Sequence, residues 1–157
     1  MKDMNPGDIV GDYREASLKY HDGSERRVYV TEIETAVADG QLIVSRTDPA
    51  GIITDVNQSF VAMSGYEECE LIGMPHYILR HPDMPATAFK GLWETVQQNK
   101  KWHGYVKNLR KDGGFYWVYA TVITNVRQGQ VVGYTSVRRK PSRTRVSEAE
   151  ECYQNMK

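Results

Sequence analysis

The spacing of apolar residues changes its period twice along the chain. Between residues 42 and 56, two short β-branched runs flank a turn at Asp48-Pro49-Ala50-Gly51, where Pro presets φ and Gly supplies a positive φ. This pattern predicts a hairpin of two strands. Further along, four apolar residues recur at the i, i+3, i+4, i+7 spacing of one helix face: Phe89, Leu92, Trp93 and Val96. Their spacing predicts a helix from Pro85 to about residue 99.

Beyond this helix the period falls to two. Apolar and polar residues alternate from Trp102 to Asn108, a turn follows at residues 111–114, and a long aromatic and β-branched run extends from Phe115 to Val126. A second turn, at residues 128–130, precedes a last β-rich run. The order is strand, strand, short helices, helix and three strands. It predicts an α+β fold, with a five-stranded antiparallel sheet that carries helices on one face.

The region between the two sets of strands is irregular. Asn57 is placed to cap a short helix that Gly65 ends, because a short polar side chain there satisfies a free backbone N–H. Residues 74–85 contain three prolines and therefore predict a loop or a broken helix. Binding sites tend to lie on irregular surface backbone, so this segment is a candidate position for one.

Both ends of the chain differ from the central part. Residues 1–28 show no sustained period, which predicts a mobile or loosely packed N-terminal extension whose removal changes the stability little. Residues 29–139 hold the predicted domain. Residues 140–157 predict a basic linker and a C-terminal helical tail, with the helix beginning near Ser147. Five basic residues fall between residues 138 and 145, and we interpret them as a solvated edge.

Charge and composition remove several function classes. Twenty Lys and Arg balance 20 Asp and Glu, so the chain lacks the basic excess expected of a nucleic-acid-binding protein. The apolar runs are far shorter than the roughly 18 residues that cross a bilayer, and the first residues form no apolar signal region. We therefore expect a cytoplasmic protein with no membrane segment in this chain. Cys69 and Cys152 are too far apart to form a zinc-type pair.

Three local sequences resemble parts of one family of sensor domains. Residues 55–60 (DVNQSF) are similar to the first half of a PAS domain, and residues 111–118 (KDGGFYWV) are similar to its closing strands. Residues 80–85 (RHPDMP) resemble the signature of PAS domains in bacterial aerotaxis receptors, which bind FAD and report the cellular redox state to the chemotaxis machinery. The resemblance covers roughly residues 29–139.

This resemblance, combined with side-chain chemistry, implies eight residues that bind the cofactor. They are Asn57, His76, Arg80, His81, Asp83, Phe89, Trp93 and Asn108. Arg80 suits phosphate oxygens because a guanidinium offers a bidentate fork, and a salt bridge to Asp83 is the alternative. His81 could hydrogen-bond the flavin ring or its ribose. Trp93 could equally be a core residue, and for Asn57 we favour the role of a helix cap.

A flat flavin ring also needs an apolar slot between the sheet and the predicted helix. The sheet residues expected to line this slot are Val106, Tyr119, Thr121 and Thr135. Asn108 is expected on the same inner face, where its amide would accept a hydrogen bond from the reduced flavin N5 and donate one to the oxidised N5. Such a side chain would convert a redox change into a conformational change. The alternative is a residue at the strand end that faces water.

These features predict a redox sensor rather than an enzyme. The domain would bind FAD non-covalently and relay its redox state to a signalling protein domain, to the chemotaxis machinery or to a second copy in a homodimer. The chain has no GxGxxG, no P-loop and no Ser/His/Asp order, which disfavours catalysis. A light-driven cysteine adduct is disfavoured because Cys69 lies before the segment that carries Arg80. Two alternatives stay open: a haem-binding gas sensor with His76 or His81 as axial ligand, and a dimerisation module that binds no ligand.

Overall fold

A computed structural model of the chain describes residues 1–156. In chain order these residues form β1 (Arg14–Lys19), β2 (Glu25–Val30), β3 (Ile43–Thr47), β4 (Ile53–Val56), α1 (Gln58–Ser64), α2 (Glu68–Leu71), α3 (Ala86–Gln97), β5 (Trp102–Leu109), β6 (Phe115–Arg127), β7 (Gln130–Arg139) and α4 (Arg143–Asn155). Short 3₁₀ helices lie at Pro6–Asp8 and His76–Leu79. In this described part of the chain, no helix is both long enough and apolar enough to cross a membrane.

Five of the strands form one antiparallel sheet in the order β4-β3-β7-β6-β5. The first and last of these strands along the chain meet in the sheet, since Ile43 of β3 lies opposite Arg138 of β7. At the other edge Asn108 of β5 lies opposite Tyr116 of β6. The predicted α+β fold with a five-stranded antiparallel sheet is confirmed.

The inner face of the sheet carries the main core. Phe60 of α1 and Leu71 of α2 are fully buried and pack with Tyr116 and Val118 of β6. These contacts fix the two short helices against the sheet. By contrast, α3 contributes one fully buried residue, Val96, and most of its apolar side chains are only partly buried.

The C-terminal helix α4 lies on the opposite, outer face of the sheet. Side chains alternate along β6, so Trp117 points away from the core residues Tyr116 and Val118. Its ring stacks on that of Tyr153 in α4, with the two planes 4° apart. The Tyr153 hydroxyl also donates a hydrogen bond of 2.6 Å to the carbonyl oxygen of Tyr105.

This helix is longer than the sequence pattern predicts. It begins at Arg143 rather than near Ser147. The reason is a cap: the side chain of Ser142 accepts a hydrogen bond of 3.2 Å from the backbone N–H of Arg145.

The N-terminal segment is folded, which corrects the expectation of a loosely packed extension. β1 and β2 form a two-stranded antiparallel sheet. Its buried side chains form a second apolar cluster, which includes Met4, Leu18, Tyr20, Val28, Tyr29, Val30 and Leu109. Arg26 is only 4% exposed and donates hydrogen bonds to the Ile78 carbonyl and the Tyr66 hydroxyl. A charged residue at this inward position interrupts the apolar alternation of β2, and the pattern therefore failed to predict the strand.

The division of the chain at residues 28 and 139 stays a prediction.

Candidate ligand-binding site

A cavity of about 740 Å³ lies between α3 and the inner face of the sheet. Its volume falls within the roughly 300–1,000 Å³ that is typical of small-molecule sites. From α3 it is lined by Phe89, Leu92 and Trp93, which are the residues that the helical spacing places on one face. The predicted amphipathic helix is therefore present, but its apolar face covers a cavity.

The cavity exists because the sheet carries small side chains opposite α3. Ser45 of β3, Ala120 of β6 and Ser136 of β7 line it, and none of them is long enough to reach the helix. At one end Gly51 lies beside the Trp93 ring, where an added Cβ would come within 3.6 Å of the indole. Large residues at these positions would fill the space, so the sequence keeps it open.

The predicted lining of the sheet is partly wrong. Val106 lines the cavity as expected, whereas Tyr119, Thr121 and Thr135 do not. In β6 and β7 the lining residues are their sequence neighbours, which are Ala120, Val122, Tyr134 and Ser136. A strand exposes alternate residues to opposite faces, so choosing the wrong phase moves the whole set to the outer face. The aromatic residues of β6 occupy both faces and conceal the phase.

The structure brings five of the eight predicted site residues to the cavity wall. They are His76, Arg80, Phe89, Trp93 and Asn108. For Arg80, the guanidinium lies 5.3 Å from the centre of the Phe89 ring, and burial lowers its pKa. The backbones of Arg80 and Asn108 also pair as an isolated antiparallel bridge, which fixes the irregular segment to the edge strand β5.

The other three predicted residues lie outside the cavity lining. Asn57 caps α1 by accepting a hydrogen bond from the Phe60 N–H, and its amide also bonds the backbone of β3. His81 is buried and its Nδ1 accepts a hydrogen bond from the Asp83 N–H at 3.0 Å. Asp83 pairs with Lys107 at 3.0 Å. Their role in binding a cofactor stays a prediction.

Arg138 is the main site residue that the sequence reasoning missed. The basic residues between 138 and 145 predict a solvated edge, but Arg138 is only 3% exposed and lines the cavity. Its NH2 donates to the Ser45 hydroxyl at 3.1 Å and to Nε2 of His76. The alternation of β7 could have found it, since Tyr134 and Ser136 precede it on the same face.

Burial is the main cause of the pKa shifts of both His76 and Arg138. Burial, with a smaller contribution from the neighbouring Arg138, lowers the pKa of His76 to about 3. Burial also lowers the pKa of Arg138 to about 10, which still leaves the guanidinium charged near neutral pH. His76 is therefore neutral and accepts a hydrogen bond from the charged guanidinium. The ion pairs of residues 1–156 include no carboxylate partner for Arg138.

Four buried groups at the cavity wall make no hydrogen bond of normal geometry within the described protein. They are NH1 of Arg138, Nε of Arg80, Nδ2 of Asn108 and the hydroxyl of Tyr20. A buried donor without a partner destabilises a protein by about 1–3 kcal/mol, and such groups are rare in native structures. Four of them around one apolar cavity suit a ligand that is apolar over most of its surface and carries several hydrogen-bond acceptors.

Other site chemistries have less support in the described residues. Residues 1–156 contain no group of three or more His, Cys, Asp or Glu that could hold a metal ion. Cys69 and Cys152 are both exposed, and neither lines the cavity.

Known proteins share this fold and part of this sequence. A family model described as PAS fold matches residues 53–138. The aerotaxis receptor of Escherichia coli (strain K12) is 42% identical over 125 residues, which are 80% of this chain and 25% of that protein. The nitrogen fixation regulatory protein of Klebsiella pneumoniae is 27% identical over 106 residues, covering 67% of this chain and 21% of that protein. A solved structure from work on the light-oxygen-voltage domain mechanism with a flavin analogue has a TM-score of 0.64 at 23% identity, covering 74% of this chain and 90% of that chain. The chain spans about a quarter or less of these curated relatives.

Proposed function

Because the chain belongs to the PAS family, we propose that it is a non-catalytic redox sensor whose cavity binds FAD non-covalently. The observation that carries this proposal is the set of unpartnered donors on Arg138, Arg80 and Asn108 around an apolar cavity of about 740 Å³. A bound flavin supplies reversible electron-transfer chemistry, and the protein supplies binding, orientation and electrostatics.

The cavity residues divide into two groups by their chemistry. Phe89, Leu92 and Trp93 on one side and Val106 and Val122 on the other form apolar walls that suit a planar ring. The donors of Arg138 and Asn108 suit the oxygens and nitrogens at the edge of such a ring, because Arg and Asn side chains offer N–H groups in a fixed plane. The residues present therefore fit a flavin.

Asn108 is the residue that we propose as the transducer of the redox state. It is only 4% exposed, it lines the cavity, and its amide carries a donor and an acceptor on one rotatable group. A ligand that exchanges an acceptor for a donor on reduction favours the opposite amide orientation. This rotation takes place on β5, which is an edge strand of the sheet.

The proposed output is a change in the binding of a signalling domain or of a second copy of this chain. By analogy with the aerotaxis receptor of Escherichia coli, the partner would be the chemotaxis machinery. A signal requires that the partner bind the two redox states with affinities that differ by about 1–3 kcal/mol.

The test is the absorption spectrum of the freshly purified full chain, followed by chromatography of the released cofactor. The two near-ultraviolet and blue bands of an oxidised flavin, with FAD as the released compound, are expected. A haem Soret band would reject the flavin and support a gas sensor with His76 as ligand. If the protein carries no chromophore and binds none of FAD, FMN or riboflavin when they are added, the proposal fails and a ligand-free module remains.

A further inference from the structure

One wall of the cavity comes from the N-terminal hairpin. Lys19, Tyr20 and His21, where β1 ends and the hairpin turn begins, line the cavity together with Tyr77 and Arg80. The hairpin lies outside the residues that the family model matches. None of the eight predicted site residues belongs to it.

The hairpin is attached to the domain by specific contacts around this wall. The rings of Tyr20 and Tyr77 stack with their centres 4.1 Å apart. The Tyr77 hydroxyl donates to Asp22 in the hairpin turn at 2.8 Å. On the next strand, Arg26 donates to the Ile78 carbonyl at 3.0 Å. These contacts hold the turn in place at the cavity, so the wall is a fixed part of the site.

The charge of this end of the cavity is positive. Lys19 and His21 are exposed at the rim, next to Arg80, whose NH1 lies 3.5 Å from the carbonyl oxygen of Lys19. The turn carboxylate of Asp22 is already bonded to Ser24 and Tyr77. Nε of Arg80 and the hydroxyl of Tyr20 are buried without hydrogen-bond partners. This end therefore presents the cations of Lys19 and Arg80 together with hydrogen-bond donors, and the nearby carboxylate of Asp22 is engaged by Ser24 and Tyr77.

The two cationic regions of the cavity differ in exposure, and this difference indicates what each one binds. Arg138 is deeply buried, where a doubly charged group would lose its hydration at a large cost. Lys19 and His21 lie at the rim, where a charged group keeps part of its water. Phosphate oxygens match this setting, because a guanidinium and an ammonium bind them through charge-assisted hydrogen bonds while solvent covers the rest.

We propose that Lys19, Tyr20 and His21 of the hairpin, together with Arg80, bind the diphosphate of FAD and so select the dinucleotide over flavins that carry less phosphate. This inference rests on the flavin-binding function proposed above. It predicts that affinity decreases in the order FAD, FMN, riboflavin. The hairpin then acts as a specificity element that is separate from the ring site at Arg138.

The test compares the charge reversal Lys19→Glu with Arg27→Glu in the full, flavin-free chain. Both residues are exposed cations of the same hairpin, but Arg27 pairs with Glu15 and does not line the cavity. The dissociation constants of FAD and riboflavin are measured by fluorescence titration, and circular dichroism verifies the fold. Lys19→Glu should weaken FAD about tenfold or more, which is the loss of about one charge-assisted hydrogen bond. It should change riboflavin binding less than twofold, and Arg27→Glu should change neither.

The outcomes separate this inference from the proposed function. If Lys19→Glu weakens FAD and riboflavin equally, or leaves FAD unchanged, the hairpin does not bind phosphate and the inference is wrong. If the unmodified chain binds riboflavin as tightly as FAD, the inference also fails while flavin binding stands. If it binds no flavin at all, both proposals fail together.

Discussion

Replacing Arg138 by Met separates ligand binding from folding. Arg138 is buried without a carboxylate partner, and only its NH2 makes hydrogen bonds, to Ser45 and His76. Met has a similar length, is apolar and fills the space of the side chain without a charge. Arg139 offers a matched control, because it is exposed and its side chain alternates to the outer face.

The expected effect on the flavin-free protein is small. Burial lowers the pKa of Arg138 from 12.5 to about 10, which means that the folded protein destabilises the charged form of this side chain by about 3 kcal/mol. The two hydrogen bonds of NH2 stabilise by about 1.5 kcal/mol each, so the two contributions roughly cancel. Arg138→Met should therefore unfold in urea within about 2 kcal/mol of the unmodified chain.

The expected effect on binding is large. Arg138→Met removes one charge-assisted hydrogen bond to the ligand, worth about 1.5–3 kcal/mol, which raises the FAD dissociation constant about 10- to 150-fold. Riboflavin binding should weaken by a similar factor, because Arg138 is assigned to the ring and not to the phosphates. Fluorescence titration measures both constants, and Arg139→Met should leave them within twofold. A natively folded Arg138→Met that binds FAD as tightly as the unmodified chain would refute the assignment of Arg138 to the ligand site.

Three further predictions follow from buried polar groups. The pKa of His76 is about 3 in the folded protein against an ordinary 6.5, so between these pH values only the unfolded chain binds the additional proton. The free energy of unfolding should therefore fall by about 1.4 kcal/mol for each pH unit below 6.5. His76→Gln should remove this contribution, as measured by urea titrations at several pH values. Equal acid sensitivity of the two proteins would contradict this. Arg26→Met breaks two buried hydrogen bonds and should lower the free energy of unfolding by about 2–4 kcal/mol. Arg27→Ala, at an exposed position, should change it by less than about 1 kcal/mol. Equal effects would mean that the hairpin is not anchored through Arg26. Asn108→Ala should retain flavin but shift its reduction potential by tens of millivolts, since about 30 mV of a two-electron couple equals 1.4 kcal/mol. Asn125→Ala serves as control, because the Asn125 amide bonds Thr135 outside the cavity. An unshifted potential in Asn108→Ala would reject the transducer role.

The sequence predicts elements well where one periodic signal dominates. The helical spacing of Phe89, Leu92, Trp93 and Val96 predicts α3 closely, because nothing in that segment competes with the 3.6-residue period. The turns at residues 48–51 and 111–114 likewise connect antiparallel strands. Whether an apolar helix face covers a core or a cavity depends on the size of residues far away in sequence, such as Ala120 and Ser136, and periodicity carries no such information.

The missed features have a common physical cause, which is a charged side chain at an inward position. Arg26 in β2 and Arg138 in β7 are both almost fully buried, yet each stands beside a second arginine that is exposed. When the sequence is judged by composition, two adjacent arginines indicate a solvated surface. In a strand, however, adjacent side chains point to opposite faces, so one arginine of each pair must face inward and needs hydrogen-bond acceptors there. For Arg26 the protein supplies them, whereas for Arg138 it supplies only part, and this difference is the reason that we propose a binding role for Arg138 alone.

The sheet separates the proposed ligand from the element best suited to respond to it. Neighbouring side chains of β5 point to opposite faces, and that of Asn108 reaches the cavity. The backbone carbonyl of Tyr105 in the same strand accepts the hydrogen bond from Tyr153 of α4, whose ring stacks on Trp117 at the outer face. The contacts of α4 include this hydrogen bond, the stacked ring of Trp117, the buried Val146 and the ion pair of Arg143 with Glu34. The hydrogen bond and the stacked ring each contribute on the order of 1 kcal/mol. A change of about 1–3 kcal/mol at the cavity, sufficient for a signal, is thus comparable to the hydrogen bond and the stacked ring together. If Asn108 transmits the redox state, we therefore expect α4 to respond to it.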